Sequence, residues 1–262
     1  MSLVINKDHE VYSDIAVPRG FFFVRLDGWN FHSLTDLLGL GKPYDKFLAE
    51  CLVEVADEFF KLFDAKLAYI FSDEISLLFP EEFSLFDRRI EKIDSVFSGV
   101  ASSTLQRLLS QKYVAIEAFN VAFDCRITPL TGGYNVLDYL DWRQSEAYRN
   151  CSNAYAFRIL VDKEKLKPSE ATEKLNKLKA RELRKLIEDH GIKFSEIPAW
   201  HSKGILIQWE TYEKQGFDPT TDENVLAKRR RISVNWTPPN FNSEPGKNFL
   251  TEIVKQDPHR KK

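Results

Sequence analysis

The chain of 262 residues carries 37 basic and 39 acidic side chains, a formal net charge of −2, and is 43% apolar with 20 Phe, which excludes a disordered or low-complexity protein. No apolar run reaches the roughly 20 residues of a membrane span and the N-terminus has no basic-then-apolar leader, so the expectation is a cytoplasmic protein with no membrane contact. Cys51, Cys125 and Cys151 are far apart and form no Cys-x-x-Cys pair, which argues against a zinc site or a disulfide framework.

Residues 20–27 form a continuous apolar run that predicts a strand buried on both faces. Residues 28–43, with Gly28, Asn30, Gly39, Gly41 and Pro43, read as an irregular turn. From Tyr44 to Phe63 the apolar positions Phe47, Leu48, Cys51, Leu52, Val55, Phe59 and Leu62 recur at helical spacing. A hairpin over 66–79 follows, its two strands interrupted by Ser72-Asp73-Glu74. Leu85 to Leu109 predicts a second helix and Phe119 to Ile127 another strand. This β-α-β-β-α-β order is the split βαβ arrangement, an antiparallel sheet backed by two helices on one face.

Beyond Thr131-Gly132-Gly133-Tyr134, a long helix is expected from about Asn135 to Val161. Another opens at Pro168, with Leu175, Leu178, Leu183, Leu186 and Ile187 as its buried stripe and a basic outer face. Late strands are predicted at Gly204–Trp209 and Arg230–Trp236, joined by a polar loop from Asp218 to Asn224, and the tail His259-Arg260-Lys261-Lys262 is basic. Fold class is therefore α+β: a polymerase-palm-like βαββαβ sheet over residues 1–134, with a helical and β C-terminal region over 135–262. Residues 1–162 hold 24 acidic and 16 basic side chains, and the remainder 15 and 21. An acidic part that carries metal joined to a basic part suits a polyanionic substrate; ordinary charge scatter fits equally well.

Two acidic signatures fall where this topology brings strands together. Arg25-Leu26-Asp27-Gly28 closes the first strand and Ser72-Asp73-Glu74 forms the hairpin turn, so Asp27 and Asp73 are expected on neighbouring strands at one edge of the sheet. Hard cations such as Mg²⁺ take one or two carboxylates with phosphate oxygens and water, and paired ions clamp both oxygens of a phosphoryl transfer. An Asp-Glu pair in a hairpin also serves as plain turn chemistry; the order of elements favours the site. Arg25 is either a buried ion-pair partner or a phosphate ligand. His32 near a turn fits a surface or capping role, and its backbone is the better candidate.

With its neighbours, the run Phe23-Val24-Arg25-Leu26-Asp27-Gly28-Trp29-Asn30-Phe31-His32 resembles the first signature of the tRNA-histidine guanylyltransferase family. Lys42-Pro43-Tyr44-Asp45, Tyr69-Ile70-Phe71-Ser72-Asp73-Glu74, Asp141-Trp142-Arg143-Gln144 and Ser202-Lys203-Gly204 resemble later signatures in the right order, over residues 18–210. The resemblance implies an enzyme that adds nucleotides to the 5′ end of tRNA in the 3′-to-5′ direction, using ATP, GTP and two Mg²⁺ ions. It implies that Asp27, the carbonyl of Gly28 and Asp73 hold the metals with Glu74 supporting them. Backbone amides from Gly28 through Trp29, Asn30, Phe31 and His32 would wrap a nucleoside triphosphate, as successive N–H groups do around anions. Ser72 and Lys42 would bind phosphate and Asp45 a base edge or ribose. Arg25, Arg143, Asn150, Lys203, Arg229 and Arg230 are candidate phosphate or tRNA contacts, and the family assembly implies a dimer of dimers.

The sequence departs from the eukaryotic pattern in two places. Tyr148-Arg149-Asn150-Cys151-Ser152-Asn153-Ala154 stands where those enzymes read His-Ile-Asn-Asn-Leu-Tyr-Asn, and Trp29 stands where they place Arg. Both resemble the archaeal or bacterial-like branch, which implies template-matched addition and 5′-end repair. Two other classes are open: a palm-fold nucleotide cyclase, with the same carboxylates and no RNA, and a non-catalytic tRNA-binding protein.

Overall fold

The computed structural model describes residues 9–218 and 223–255; the basic tail lies outside them. Six strands form one antiparallel sheet in the order β4-β1-β3-β2-β5-β6. They are β1 (Phe22–Gly28), β2 (Leu67–Phe71), β3 (Glu74–Phe79), β4 (Phe123–Pro129), β5 (Ile205–Asp218) and β6 (Glu223–Asn235). The first four strands realise the expected split βαβ topology, and the β5–β6 hairpin adds to the β2 side.

Strand alternation divides the core. Phe22, Val24 and Leu26 point to one face, where they pack with α2 (Lys46–Phe63) and α3 (Ile90–Ser110). Phe23, Tyr69, Leu78 and Leu206 point to the other face, against α4 (Val136–Arg158) and α8 (Glu244–Lys255). Burial on both faces is why β2 and most of β1 and β3 are apolar. A satellite core joins the end of α4 to α5 (Pro168–Leu175) and α6 (Ala180–Asp189) through Ala156, Leu160, Ala171, Leu183 and Ile187.

Several boundaries differ from the sequence expectation. Residues 28–43 are not wholly irregular: a two-turn helix, α1 (Phe31–Leu37), forms because Phe31, Leu34 and Leu38 sit at i, i+3 and i+7 and are all buried. The helix expected from Leu85 starts only at Ile90. Before it, Phe86, Asp87 and Arg88 take left-handed φ of 57°, 54° and 59°, held by Arg88. Its guanidinium, buried, donates to the carbonyls of Val17, Pro18, Gly20, Glu81 and Phe83 at 2.6–3.2 Å.

Strand β4 begins at Phe123, not Phe119. Before it, the Val121 N–H bonds to Gln106 Oε1 at 3.1 Å, a side chain of α3. The helix expected from Pro168 is two helices, because the Lys179 N–H bonds to Glu182 Oε2 at 2.7 Å and starts α6 afresh. The late strands run much further than the apolar residues suggested. Cross-strand pairs such as Arg231 Nε to Glu210 Oε2, 2.8 Å, and backbone ladder bonds sustain a polar ribbon that hydrophobic alternation cannot reveal.

Candidate active site

The C-terminal end of β1 meets the β2–β3 turn through one backbone bond, from Gly28 N–H to the Asp73 carbonyl at 3.1 Å. The acids therefore gather at the strand ends and not along an outer strand, since β1 has β4 and β3 on its two sides. Asp27 is the direct partner of Glu74 across β3 and of Asp124 across β4. The turn is tight: Ser72 holds φ 53°. Gly28 is required by its neighbour, because a Cβ there would lie 2.6 Å from the Phe31 ring. Asn30, left-handed at φ 56°, caps α1, a conformation Asn tolerates better than most residues.

The three acids have different surroundings. Burial raises the pKa of Asp27, with Asp124 adding to the rise and Arg25, Arg126 and Arg143 opposing it from a distance. Burial also raises Asp73, and Asp27 adds to it; the Ser72 hydroxyl and a backbone N–H pull the other way. Glu74 is committed elsewhere. Arg143 of α4 forks it, with Nε to Oε1 at 2.9 Å and Nη2 to Oε2 at 2.5 Å, and Arg25 Nε stands 3.8 Å from Oε2. Arg143 is thus a buried bridge from α4 to β3 and is not placed to meet phosphate or tRNA.

Asp27 and Asp73 offer hard oxygen donors that repel each other and, among the described residues, form no ion pair. Among the described residues no group of three or more His, Cys, Asp or Glu side chains could hold an ion by itself. A cation here would complete its shell with backbone, water and substrate oxygens, which is the habit of Mg²⁺. The donor set fits that ion.

Beside Asp73 opens a cavity of about 740 Å³, within the usual range for a small-molecule site. It brings together Phe31, His32, Lys42, Asp45, Ser72 and Asp73 of the sequence candidates. Lys42 Nζ is held by Thr35 Oγ1 at 2.5 Å and Asp36 Oδ1 at 2.9 Å. Asp45 caps α2, accepting from Leu48 N–H at 3.0 Å and from Gly41 N–H at 2.8 Å. Both carboxylate oxygens of Asp45 therefore already shape the rim. His32 is exposed and pairs with Asp36 at 3.2 Å.

Other candidates lie apart from the cavity. Asn150 is exposed on α4. Lys203 ends α7 (Ala199–Lys203), its carbonyl taking the Tyr69 hydroxyl at 2.9 Å and the Gln144 amide at 3.2 Å. Arg229 and Arg230 sit on the ribbon beyond the β2–β5 pairing, at the end of the sheet away from Asp73. Arg230 stacks on Trp209 at 4.1 Å and reaches Asp64 at 3.5 Å.

Sequence reasoning did not find Asp124, or the cavity residues Asn153, Phe157, Arg158, Thr172, Asn176 and Trp200. Alternation in Phe123-Asp124-Cys125-Arg126 was a usable signal for Asp124 once β4 is laid beside β1. The others depend on how α4, α5 and α7 pack, which no local pattern encodes.

Two family models match the chain in tandem: "tRNAHis guanylyltransferase" over residues 5–131 and "Thg1 C terminal domain" over residues 134–239. A probable tRNA(His) guanylyltransferase of Drosophila melanogaster is 29% identical over 196 residues, 74% of this chain and 68% of the fly protein. The tRNA(His) guanylyltransferase of Saccharomyces cerevisiae is 27% identical over 203 residues, 74% of this chain and 84% of its own length. Among solved structures, a bacterial tRNA(His) guanylyltransferase (Thg1)-like protein in complex with ATP superposes with a TM-score of 0.73 at 27% identity, covering 95% of this chain and 96% of that one. The same kind of protein in complex with GTP gives 0.66 at 26% identity, with the same coverage.

Proposed function

The chain belongs to the tRNA-His guanylyltransferase family, and we propose from that premise that it is a nucleotidyltransferase adding G, or template-matched nucleotides, to tRNA 5′ ends in the 3′-to-5′ direction. The observation that carries this reading is the Asp27–Asp73 pair, desolvated and without an ion pair among the described residues, with Asp73 lining a nucleotide-sized cavity. The cavity would take ATP or GTP, with Lys42 and the Ser72 hydroxyl on phosphate. In the activation step, a 5′-phosphate oxygen of the RNA attacks the α-phosphorus of ATP, forming the 5′-adenylylated end and releasing pyrophosphate. The 3′-hydroxyl of GTP then loses its proton and attacks the RNA 5′-phosphorus, and AMP leaves.

Two Mg²⁺ ions, when bound, would neutralise the transferring phosphates and activate the attacking oxygen. Asp27, the Gly28 carbonyl and Asp73 would hold them. Glu74, through Arg143, fixes the β3 end that carries Asp73. Positioning and charge neutralisation supply most of such catalysis.

Residues 1–134 are read as the catalytic core and 135–262 as the part that completes the fold and contributes to tRNA binding. A dimer of dimers is the proposed assembly; a monomer by light scattering would remove it. No described helix is long and apolar enough to cross a membrane, and the three free cysteines suit the reducing cytoplasm, the proposed compartment.

The test offers labelled GTP, ATP and Mg²⁺ with a tRNA-His lacking its extra G and with a 5′-truncated tRNA of another type. Addition to either, lost in Asp27→Ala, is the expected result. A cyclic product from GTP alone would make the protein a cyclase. RNA binding with no addition would make it a tRNA-binding protein.

A further inference from the structure

One strip of the sheet at the reactive end stays uncovered. Helices α4 and α8 close over the other strands through Phe23, Tyr69, Leu78 and Leu206, whereas Asp124 and Arg126 of β4 are exposed. Strand pairing sets Asp124 directly across from Asp27 and Arg126 directly across from Arg25, so all four share one face. Trp142 borders this strip from α4. Its side chain is 48% exposed and its ring lies 5.9 Å from the Arg25 guanidinium and 4.4 Å from that of Arg143. Trp29, 62% exposed, follows directly, its N–H bonded to the Ala122 carbonyl at 2.9 Å, one step past the β1–β4 ladder.

Exposed indole rings beside guanidinium groups are the chemistry of a surface that stacks bases and binds the phosphates between them. Of these residues, none lines the cavity, while Ser72 and Asp73 do. The carboxylate pair therefore has two approaches, the cavity on the Asp73 side and the open strip on the Asp27 side. A transfer between a nucleoside triphosphate and an RNA end needs two such approaches, because attacking and leaving oxygens lie roughly in line through phosphorus.

We propose that the strip formed by Trp142, Arg25 and Arg126 around Asp27 seats the 5′-terminal nucleotides of the RNA, with Trp142 stacking on a base and Arg126 binding a phosphate. This rests on the tRNA reading above and deepens it. Arg126 spends its charge on Asp124 at 3.0 Å, both side chains about half exposed. Such solvated pairs are weak, and an incoming phosphate displaces the carboxylate. The exposure of the large Trp142 indole follows from this use.

The experiment compares wild type with Trp142→Ala, Trp142→Phe and Arg126→Ala, all as full-length protein. It reads steady-state addition to a 5′-truncated tRNA, and equilibrium binding of the same tRNA carrying a 3′ fluorescein. Trp142→Ala and Arg126→Ala should each raise KM and Kd for tRNA about tenfold and leave KM for GTP and ATP within twofold. Trp142→Phe should recover most of the loss. Active variants with unchanged tRNA constants, or with KM raised for GTP and ATP instead, overturn the docking strip. Wild type that binds this tRNA through Trp142 yet adds no nucleotide overturns the enzymatic reading and leaves the strip standing. Wild type that does neither removes both.

Discussion

At the start of β1, Arg88 lies buried with five backbone carbonyls around its guanidinium. At the other end of the same strand, Asp27 and Asp73 lie partly buried with no ion pair among the described residues, and burial raises their pKa values. Buried charge costs free energy unless it is fully hydrogen-bonded or paired. At the Arg88 end every N–H is satisfied from within the chain, which offsets much of the cost of burying that charge. At the Asp27 end the partner has to come from outside, so that charge is kept for a ligand. Glu74, one residue from Asp73, falls on the Arg88 side of this division because Arg143 satisfies it.

Replacing the unsatisfied carboxylates should break the comparison most sharply. Asp27→Ala or Asp73→Ala should lower kcat for nucleotide addition by at least about 10²-fold, the usual scale for losing preorganised transition-state electrostatics. Their thermal midpoints without metal should hold or rise, since a desolvated carboxylate is gone. Millimolar Mg²⁺ should raise the wild-type midpoint by mass action and leave both variants unmoved. Calorimetry with and without EDTA reads this, and an equal Mg²⁺ response in Asp27→Ala would take the metal away from this pair.

Arg88→Met tests the opposite end. It strands five carbonyls and should cost on the order of 3–5 kcal/mol in urea unfolding, with KM values unchanged under conditions where the variant folds. Arg143→Ala should cost about 3 kcal/mol by leaving the buried Glu74 with only Arg25, 3.8 Å away, and the Ser76 hydroxyl at 3.3 Å. Replacing both, as Glu74→Gln with Arg143→Met, should recover part of that loss. Failure of the double variant to improve on Arg143→Ala would mean that the Arg143 cation serves more than its partner.

The smallest effect concerns pH. His201, its Nδ1 2.7 Å from the Tyr155 hydroxyl, is held by burial at about 4, below the usual 6.5. A histidine depressed in the fold stabilises fully above 6.5, and that contribution is lost as pH falls from 6.5 towards 4, because the unfolded chain binds the proton first. Wild type should therefore lose more unfolding free energy between pH 7 and pH 5 than His201→Gln does. Parallel pH profiles for the two proteins would contradict this.

The sequence itself determined the sheet, the two backing helices and the acidic corner. Doubly buried strands must be largely apolar, and the tight joins at Asp27-Gly28 and Ser72-Asp73 stand out against them. Resemblance of short motifs then supplied a family. Tertiary structure alone decided how the charges are used. Glu74 and Asp73 are adjacent and chemically alike, and only the arrival of Arg143, 69 residues later, commits one of them to the fold. Asp45 reads as a nucleotide contact, and only the fold shows that its carboxylate also caps α2 at the cavity rim. The β5–β6 ribbon, the break before α6 and the exposure of Trp142 were equally hidden. Local pattern records which residues are apolar; which polar groups are satisfied depends on partners that only the packed chain brings within reach.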